Sequence, residues 1–170
     1  MTEKQQKAEV HIKYKDLEKS FAATLEETWL LLNKFFSEFL PQFEIANKLW
    51  LSVDLQQLAK DCEGIIAFSP EGANLLVPKN KITDNETLLL WLLAGYMGHK
   101  LGLMGSDTLS KEELQAKLGK SSKITSTRLG ELVKSDLAAK TVDEKFRITT
   151  FGIAQMQKEI LPKIKAKITD

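Results

Sequence analysis

The sequence predicts an α+β protein: a small ββ-α-α-ββ unit in residues 1–80, followed by a largely helical unit with one β-hairpin in residues 81–170. Apolar and polar residues alternate in several short runs, which is the period of strands with one buried face. In other runs, apolar residues recur three and four positions apart behind capping residues, as they do in helices. An apolar content of 43% is enough to build a hydrophobic core.

The chain begins with a predicted hairpin. Residues 1–8 are mostly charged and polar and are expected to form a frayed tail. Residues 10–14 alternate between apolar and polar types, residues 15–16 suit a turn, and residues 17–21 alternate again. This pattern is typical of two antiparallel strands.

A strong helix follows the hairpin. Thr24 and Glu27 have capping-box spacing, and apolar residues at helical spacing run from Trp29 to Leu40, where Pro41 is expected to end the helix. Four aromatic residues lie in this run: Trp29, Phe35, Phe36 and Phe39. Such a stripe is usually part of a core, and the alternative is an exposed groove for a partner.

A second helix and hairpin complete the first unit. Asp54 can cap a helix that reaches Cys62 and stops at Gly64, and residues 65–68 and 73–77 then read as paired strands. The polar segment that follows, residues 78–84, is the predicted domain boundary.

Charge is distributed unevenly between the two predicted domains. The chain carries 24 basic and 23 acidic residues, so its total charge identifies no partner. Residues 1–80 hold 9 basic and 12 acidic groups, whereas residues 81–170 hold 15 and 11. The basic excess therefore belongs to the second domain.

The first helix of that domain is capped by Thr83 and Glu86 and is expected to stop at Gly102. It is apolar on nearly every side, which exceeds what one small helical domain needs to bury. Either the N-terminal domain or a second subunit of a homodimer is expected to cover it.

Two further helices follow. Ser110 and Glu113 form a second capping-box pattern, and this short helix is expected to end near Gly119. Residues 120–123, Lys-Ser-Ser-Lys, then lead a third helix that reaches Asp136.

A hairpin and a last helix complete the prediction. Residues 137–140 start a strand, residues 142–144 form the tip, and residues 145–149 form the return strand. A final helix begins near Gly152, and Pro162 is expected to kink or end it.

This order of elements resembles the winged helix-turn-helix fold of bacterial and archaeal transcriptional regulators, over about half of the chain. The segments that carry the resemblance are Leu114-x-x-Lys-Leu-Gly119, Thr127-Arg-Leu-Gly-Glu-Leu-Val133, Ser135-Asp-Leu-Ala138 and Phe146-Arg-Ile-Thr-Thr-Phe-Gly152. One departure is Asp136, which stands where a glycine commonly closes the third helix, so a differently shaped turn is expected there. Another is Ile124, which lies off the apolar face of that helix.

The resemblance implies binding to double-stranded DNA, with the third helix in the major groove and the hairpin, or wing, along the backbone or minor groove. Cations and hydroxyls at the start of the third helix suit a phosphate, and Arg128 could make a bidentate contact to guanine. The predicted DNA-binding residues are Lys120, Ser121, Ser122, Lys123, Ser126, Thr127, Arg128, Lys140, Lys145 and Arg147.

Other interpretations stay open at this point. A Ser/Lys cluster also makes an ordinary helix cap on a solvated face, and the wing cations stand beside Asp143 and Glu144. Winged helices also dock proteins, so the alternative function is a non-enzymatic interaction scaffold. A third idea, a small-ligand sensor, has no residue constellation to support it.

No enzymatic motif stands out in the sequence. His11 and His99 have no recognisable triad partners, and Cys62 belongs to no reactive motif. Phosphate loops, paired catalytic carboxylates and zinc spacings are absent from the sequence, so no catalysis, metal or cofactor is expected.

The sequence favours a cytoplasmic protein, associated with the nucleoid if it binds DNA. A single cysteine excludes an intramolecular disulfide framework, and residues 1–7 do not resemble a secretory signal. The longest apolar run, residues 88–97, is much shorter than the roughly 20 residues needed to cross a bilayer.

Overall fold

The computed structural model describes residues 7–14, 17–39 and 51–169. The chain divides into two compact units, Met1–Trp50 and Leu51–Asp170. Helices are combined with two-stranded antiparallel sheets, three of them within the described ranges, so the broad α+β prediction is confirmed. The predicted boundary after Asn80, in contrast, falls inside the second compact unit.

The first unit contains the predicted hairpin and helix. Strands β1 (Ala8–Tyr14) and β2 (Leu17–Ala23) pair antiparallel, and α1 spans Leu25–Phe39. The Thr24 hydroxyl accepts from the Glu27 amide, and the Glu27 carboxylate accepts from the Thr24 amide, which is the reciprocal capping box. The predicted frayed tail apart from its last two residues, the predicted turn at residues 15–16 and the stop at Pro41 lie outside the described residues.

The aromatic stripe of α1 is only partly buried. Phe35 is 3% exposed and packs edge-to-face against Phe36, with 5.5 Å between ring centroids. Trp29 is 65% exposed and therefore lies on the surface. Interpretation of the whole stripe as core is therefore right for Phe35 and wrong for Trp29.

The second unit begins with the helix and hairpin that were assigned to the N-terminal domain. Helix α2 spans Leu55–Asp61, and the Asp54 side chain accepts from the amides of Gln56 and Gln57. Strands β3 (Ile66–Ser69) and β4 (Gly72–Leu75) form an antiparallel hairpin.

Three helices follow a short 3₁₀ turn at Lys79–Lys81: α3 (Asp84–Lys100), α4 (Lys111–Leu118) and α5 (Ser122–Lys134). Both predicted capping boxes are present at the starts of α3 and α4. Gly119 ends α4 in the left-handed conformation, with φ 72°, as its position after the last helical residue predicts.

A small hairpin and a long interrupted helix end the chain. Strand β5 (Ala138–Lys140) pairs with β6 (Phe146–Ile148), and Leu109 adds a single antiparallel bridge to Phe146. Helix α6 (Thr150–Gln155) continues through a π-helical turn, Met156–Ile160, into α7 (Leu161–Thr169).

Pro162 does not end this helix. A proline inside a helix lacks an N–H and crowds the carbonyl four residues earlier. The widened turn immediately before it, in which the Leu161 amide donates to the Met156 carbonyl, accommodates that crowding.

Helix α3 forms the centre of the core, since ten of its residues are buried and its apolar residues run around the whole helix. Helices α4 and α5 and strand β6 contact it, and so do strands β3 and β4. Leu58, Ile65 and Val77, all from the segment before residue 80, are buried in this same hydrophobic cluster.

This shared core explains the displaced boundary. The polar residues at positions 78–84 form a connection between elements. The hairpin before this connection packs on α3, so it does not form a separate core. The expectation that another part of the chain covers α3 is met by residues 51–80. Two hydrogen bonds add to this packing: Gln157 Nε2 to Asp61 Oδ2 at 2.6 Å, and Lys165 Nζ to the Lys60 carbonyl at 3.1 Å.

The turn after α5 has the conformation that a glycine would favour, although the residue is aspartate. Asp136 has φ 57°, and its carbonyl accepts from the Thr149 hydroxyl. The expectation of a differently shaped turn is therefore wrong, because Asp136 adopts the left-handed conformation itself.

Because a non-glycine residue pays a steric penalty in this region, Asp136→Gly is expected to stabilise the fold by about 0.5–1 kcal/mol. Urea denaturation of the two proteins would measure this difference. A variant less stable than the parent would show that the Asp136 side chain contributes more than its backbone strain costs.

Candidate nucleic-acid interface

The exposed side of α5 carries most of the predicted site. Lys123, Thr127, Gly130 and Lys134 are all exposed and recur at intervals of four, three and four residues, so they share one face of the helix. We call these four residues the outer stripe. Thr125, Leu129 and Leu132 are buried on the opposite side, so the stripe faces away from the core.

The start of α5 presents cations beside a free helix terminus. Lys120, Ser121, Ser122 and Lys123 are exposed, as predicted. Ser121 is the N-cap, and its hydroxyl accepts from the Ile124 amide at 3.4 Å. Unpaired amides in the first turn of a helix favour an anion.

The two hydroxyls farther along α5 differ in whether they already form a hydrogen bond within the helix. Thr127 Oγ1 donates to the Lys123 carbonyl at 3.0 Å, whereas Ser126 is exposed and forms no hydrogen bond with the described residues. Ser126 is therefore the more available of the two for a ligand.

Arg128 does not belong to the outer stripe. Its Nη1 donates to both carboxylate oxygens of Glu131 at 3.0 Å, and its Nε lies 4.0 Å from Asp84 Oδ2 at the start of α3. Asn85 Nδ2 donates to Glu131 at 3.0 Å, and this hydrogen bond together with that of Arg128 lowers the pKa of Glu131. Arg128 is thus the counter-ion of a carboxylate that stays ionised at neutral pH.

The β5–β6 hairpin carries a mixed set of charges. Lys140 Nζ lies 2.7 Å from Glu144 Oε1, and this pairing lowers the pKa of Glu144. Lys145 is exposed and forms no ion pair with the described residues. Asp143 and Glu144 are exposed at the tip, and their negative charges offset those of the two lysines, so the tip of the hairpin has little net positive charge.

Arg147 lies on the other face of the hairpin. Lys140 and Phe146 form one cross-strand pair, and Ala139 and Arg147 form the next. Since successive residues of a strand project to opposite faces, Arg147 points away from the face that carries Lys140. It lines a separate cleft with Tyr96 and Asp107. Arg147 is thus exposed on the hairpin, on the face opposite Lys140.

A groove of about 580 Å³ separates α5 from the hairpin. Leu129, Val133 and Phe146 contribute apolar surface, and the charged residues of the lining are Lys111, Lys134, Lys140 and Glu144.

Sequence reasoning missed two of these lysines. Lys134 follows Lys123 by eleven residues, three helical turns, and its position could have been read from the helical period. Lys111 belongs to α4, and only the packing of α4 beside the hairpin brings it to the groove.

The other candidate groups fit structural roles. Cys62 is 2% exposed, and burial raises its pKa to about 12, so the thiol is protonated at neutral pH. His99 Nδ1 lies 3.3 Å from the Met104 carbonyl oxygen on the surface.

His11 has partners that the sequence pattern did not reveal. Its Nδ1 lies 2.7 Å from Ser20 Oγ across the hairpin, and its Nε2 lies 2.8 Å from Glu18 Oε1. The histidine and glutamate side chains are more than half exposed. The trio is a cross-strand cluster on an exposed face of the β1–β2 hairpin.

Two searches of the described part of the chain complete this survey. It contains no group of three or more His, Cys, Asp or Glu side chains placed to hold a metal ion. Among the helices described, none has the length and apolar character needed to cross a bilayer.

No protein-family model, curated protein sequence or solved structure matches this chain.

Proposed function

We propose that residues 84–169 form a winged helix domain that binds double-stranded DNA, and that the protein is a transcriptional regulator or chromosome-associated factor. In this proposal α4 and α5 are the helix-turn-helix, and the β5–β6 hairpin is the wing. The order α3, α4, α5, β5, β6 and α6 supports it, together with the bridge from Leu109 to Phe146.

The observation that carries the proposal is the outer stripe of α5. It is exposed over three turns, carries two lysines without ion pairs among the described residues, and contains no acidic residue. Lys120 lies just before it and Lys145 lies on the wing, so positive groups flank a helix able to approach a polyanion.

Gly130 gives independent support. It lies within α5 and is exposed, and a Cβ built on it would meet no atom within 4 Å. A glycine in an exposed helix interior costs about 1 kcal/mol relative to alanine, and nothing in the fold requires one here. Close approach of a ligand to the helix explains its presence.

A salt titration tests the proposal. Fluorescence anisotropy of a labelled 20-base-pair duplex with the full chain is expected to show binding at 50 mM salt, weakening by about tenfold or more at 200 mM as counterions are released. Absence of binding at 50 mM would overturn the proposal and favour the alternative, a scaffold that docks a protein through the same domain.

Substitution of Gly130 separates stability from binding. Gly130→Ala is expected to stabilise the fold by about 1 kcal/mol, measured by urea denaturation, because alanine is the better helix former. Gly130→Gln is expected to keep the fold and to weaken duplex binding at least about tenfold, because its longer side chain holds the helix away from the duplex. Wild-type binding by Gly130→Gln would contradict a close approach at this position.

A further inference from the structure

We propose that α5 binds duplex DNA with little discrimination between base sequences, through contacts to phosphates rather than to base edges. This inference rests on the proposed function and specifies its ligand: duplex DNA of general sequence. It favours the chromosome-associated factor over a regulator of particular operators.

The outer stripe lacks the side chains that read base pairs most specifically. Bidentate contacts in the major groove are made chiefly by Arg to guanine and by Asn or Gln to adenine. Helix α5 contains no Asn or Gln, and its single arginine is Arg128. Lys123 and Lys134 are point charges on flexible stems, which suit phosphates.

Arg128 is held away from the position where it could read a base. It follows Lys123 by five residues, which places it about 140° around the helix from that lysine. Its guanidinium is bound to Glu131 at 3.0 Å and lies near Asp84 at 4.0 Å. Turning it toward DNA would leave these two carboxylates facing a polyanion without their counter-ion.

The hydroxyls of α5 add little discrimination. Thr125 is buried and donates to the Ser121 carbonyl at 3.1 Å, and Thr127 donates to the Lys123 carbonyl. The remaining exposed hydroxyls, Ser122 and Ser126, can donate to phosphates and can contact any base.

The wing is also poorly suited to reading sequence. Minor-groove readers usually insert Arg or Lys side chains into the negative potential of a narrow groove. The tip of this wing is Val142-Asp143-Glu144, and Val142 is fully exposed. The two carboxylates of the tip disfavour its insertion into the minor groove. Arg147 lies on the face of the hairpin opposite Lys140.

Selection from a random duplex library tests the inference. Several rounds of selection with the full chain at 50 mM salt are expected to enrich no motif, and AT-rich and GC-rich duplexes are expected to bind within about fivefold of each other. A motif bound more than 100-fold more tightly than random DNA would overturn the inference while leaving the proposed function intact. Absence of binding to every duplex would overturn both.

An Arg128 variant provides a second readout. Arg128→Met/Glu131→Gln, which removes the guanidinium and its main carboxylate partner together and keeps the net charge, is expected to bind each duplex within about twofold of wild type at 50 mM salt, since the guanidinium contacts protein carboxylates. Circular dichroism would confirm that the variant is folded, and Arg128→Lys serves if it is not. Loss of affinity by more than tenfold in the folded variant would show that Arg128 contacts DNA and would overturn the inference.

Discussion

The double substitution Lys123→Ala/Lys134→Ala is expected to weaken binding of duplex DNA about 100-fold or more at 50 mM salt. Both ammonium groups lie on the outer stripe, and a hydrogen bond to a charged group contributes about 1.5 kcal/mol or more. Loss of two phosphate contacts should also reduce the slope of log K against log salt by about two. Anisotropy titrations at four or five salt concentrations measure both quantities.

The matched control is Lys81→Ala/Lys158→Ala, which removes the same total charge. Both residues are exposed, and neither lies on α5 or the wing. This control is expected to retain most of the wild-type affinity, with a change of about threefold or less from the smaller net charge. Equal losses in the two double variants would mean that overall charge, and not the outer stripe, determines binding.

Gly152→Ala is expected to destabilise the second unit by about 3 kcal/mol or to prevent its folding. Gly152 is buried in the first turn of α6, and a Cβ on it would overlap the carbonyl oxygen of Leu137. This overlap involves backbone, which cannot rotate away as a flexible side chain could. Urea denaturation followed by circular dichroism measures the loss.

Gly130→Ala is the control for this variant, because it adds the same methyl group to another helical glycine. There the new Cβ would meet nothing within 4 Å, so the two substitutions are expected to change stability in opposite directions. If Gly152→Ala cost less than about 1 kcal/mol, the close contact between α6 and Leu137 would be looser than the structure indicates.

Most helix starts could be predicted because their causes are local. Thr24, Thr83 and Ser110 each cap a helix with a glutamate three residues later, and the hydrogen bonds involved span no more than three residues. All the residues of such a capping pattern lie within one turn of the chain, so the pattern can be recognised from the sequence alone. The same holds for Gly119, whose conformation depends on the end of its own helix.

The composition of the site was less predictable. Lys120, Ser121, Ser122, Lys123, Ser126, Thr127 and Lys145 are exposed as expected. Arg128 was expected beside them, but it pairs with Glu131 three residues later, a spacing that the helical period could have shown. The contacts with distant segments could not be predicted: Asp84, 44 positions earlier, lies near Arg128, and the cleft beside Arg147 contains Tyr96, from a helix about 50 positions away.

The sequence by itself determined where the helices begin, which face of α5 is apolar and that the hairpin after it is short, because each depends on neighbours within a few residues. Only the tertiary structure decided that residues 51–80 share a core with α3, that Lys111 reaches the groove beside α5, and that Asp84 lies near Arg128. Those outcomes depend on contacts between distant segments, whose partners no local pattern specifies.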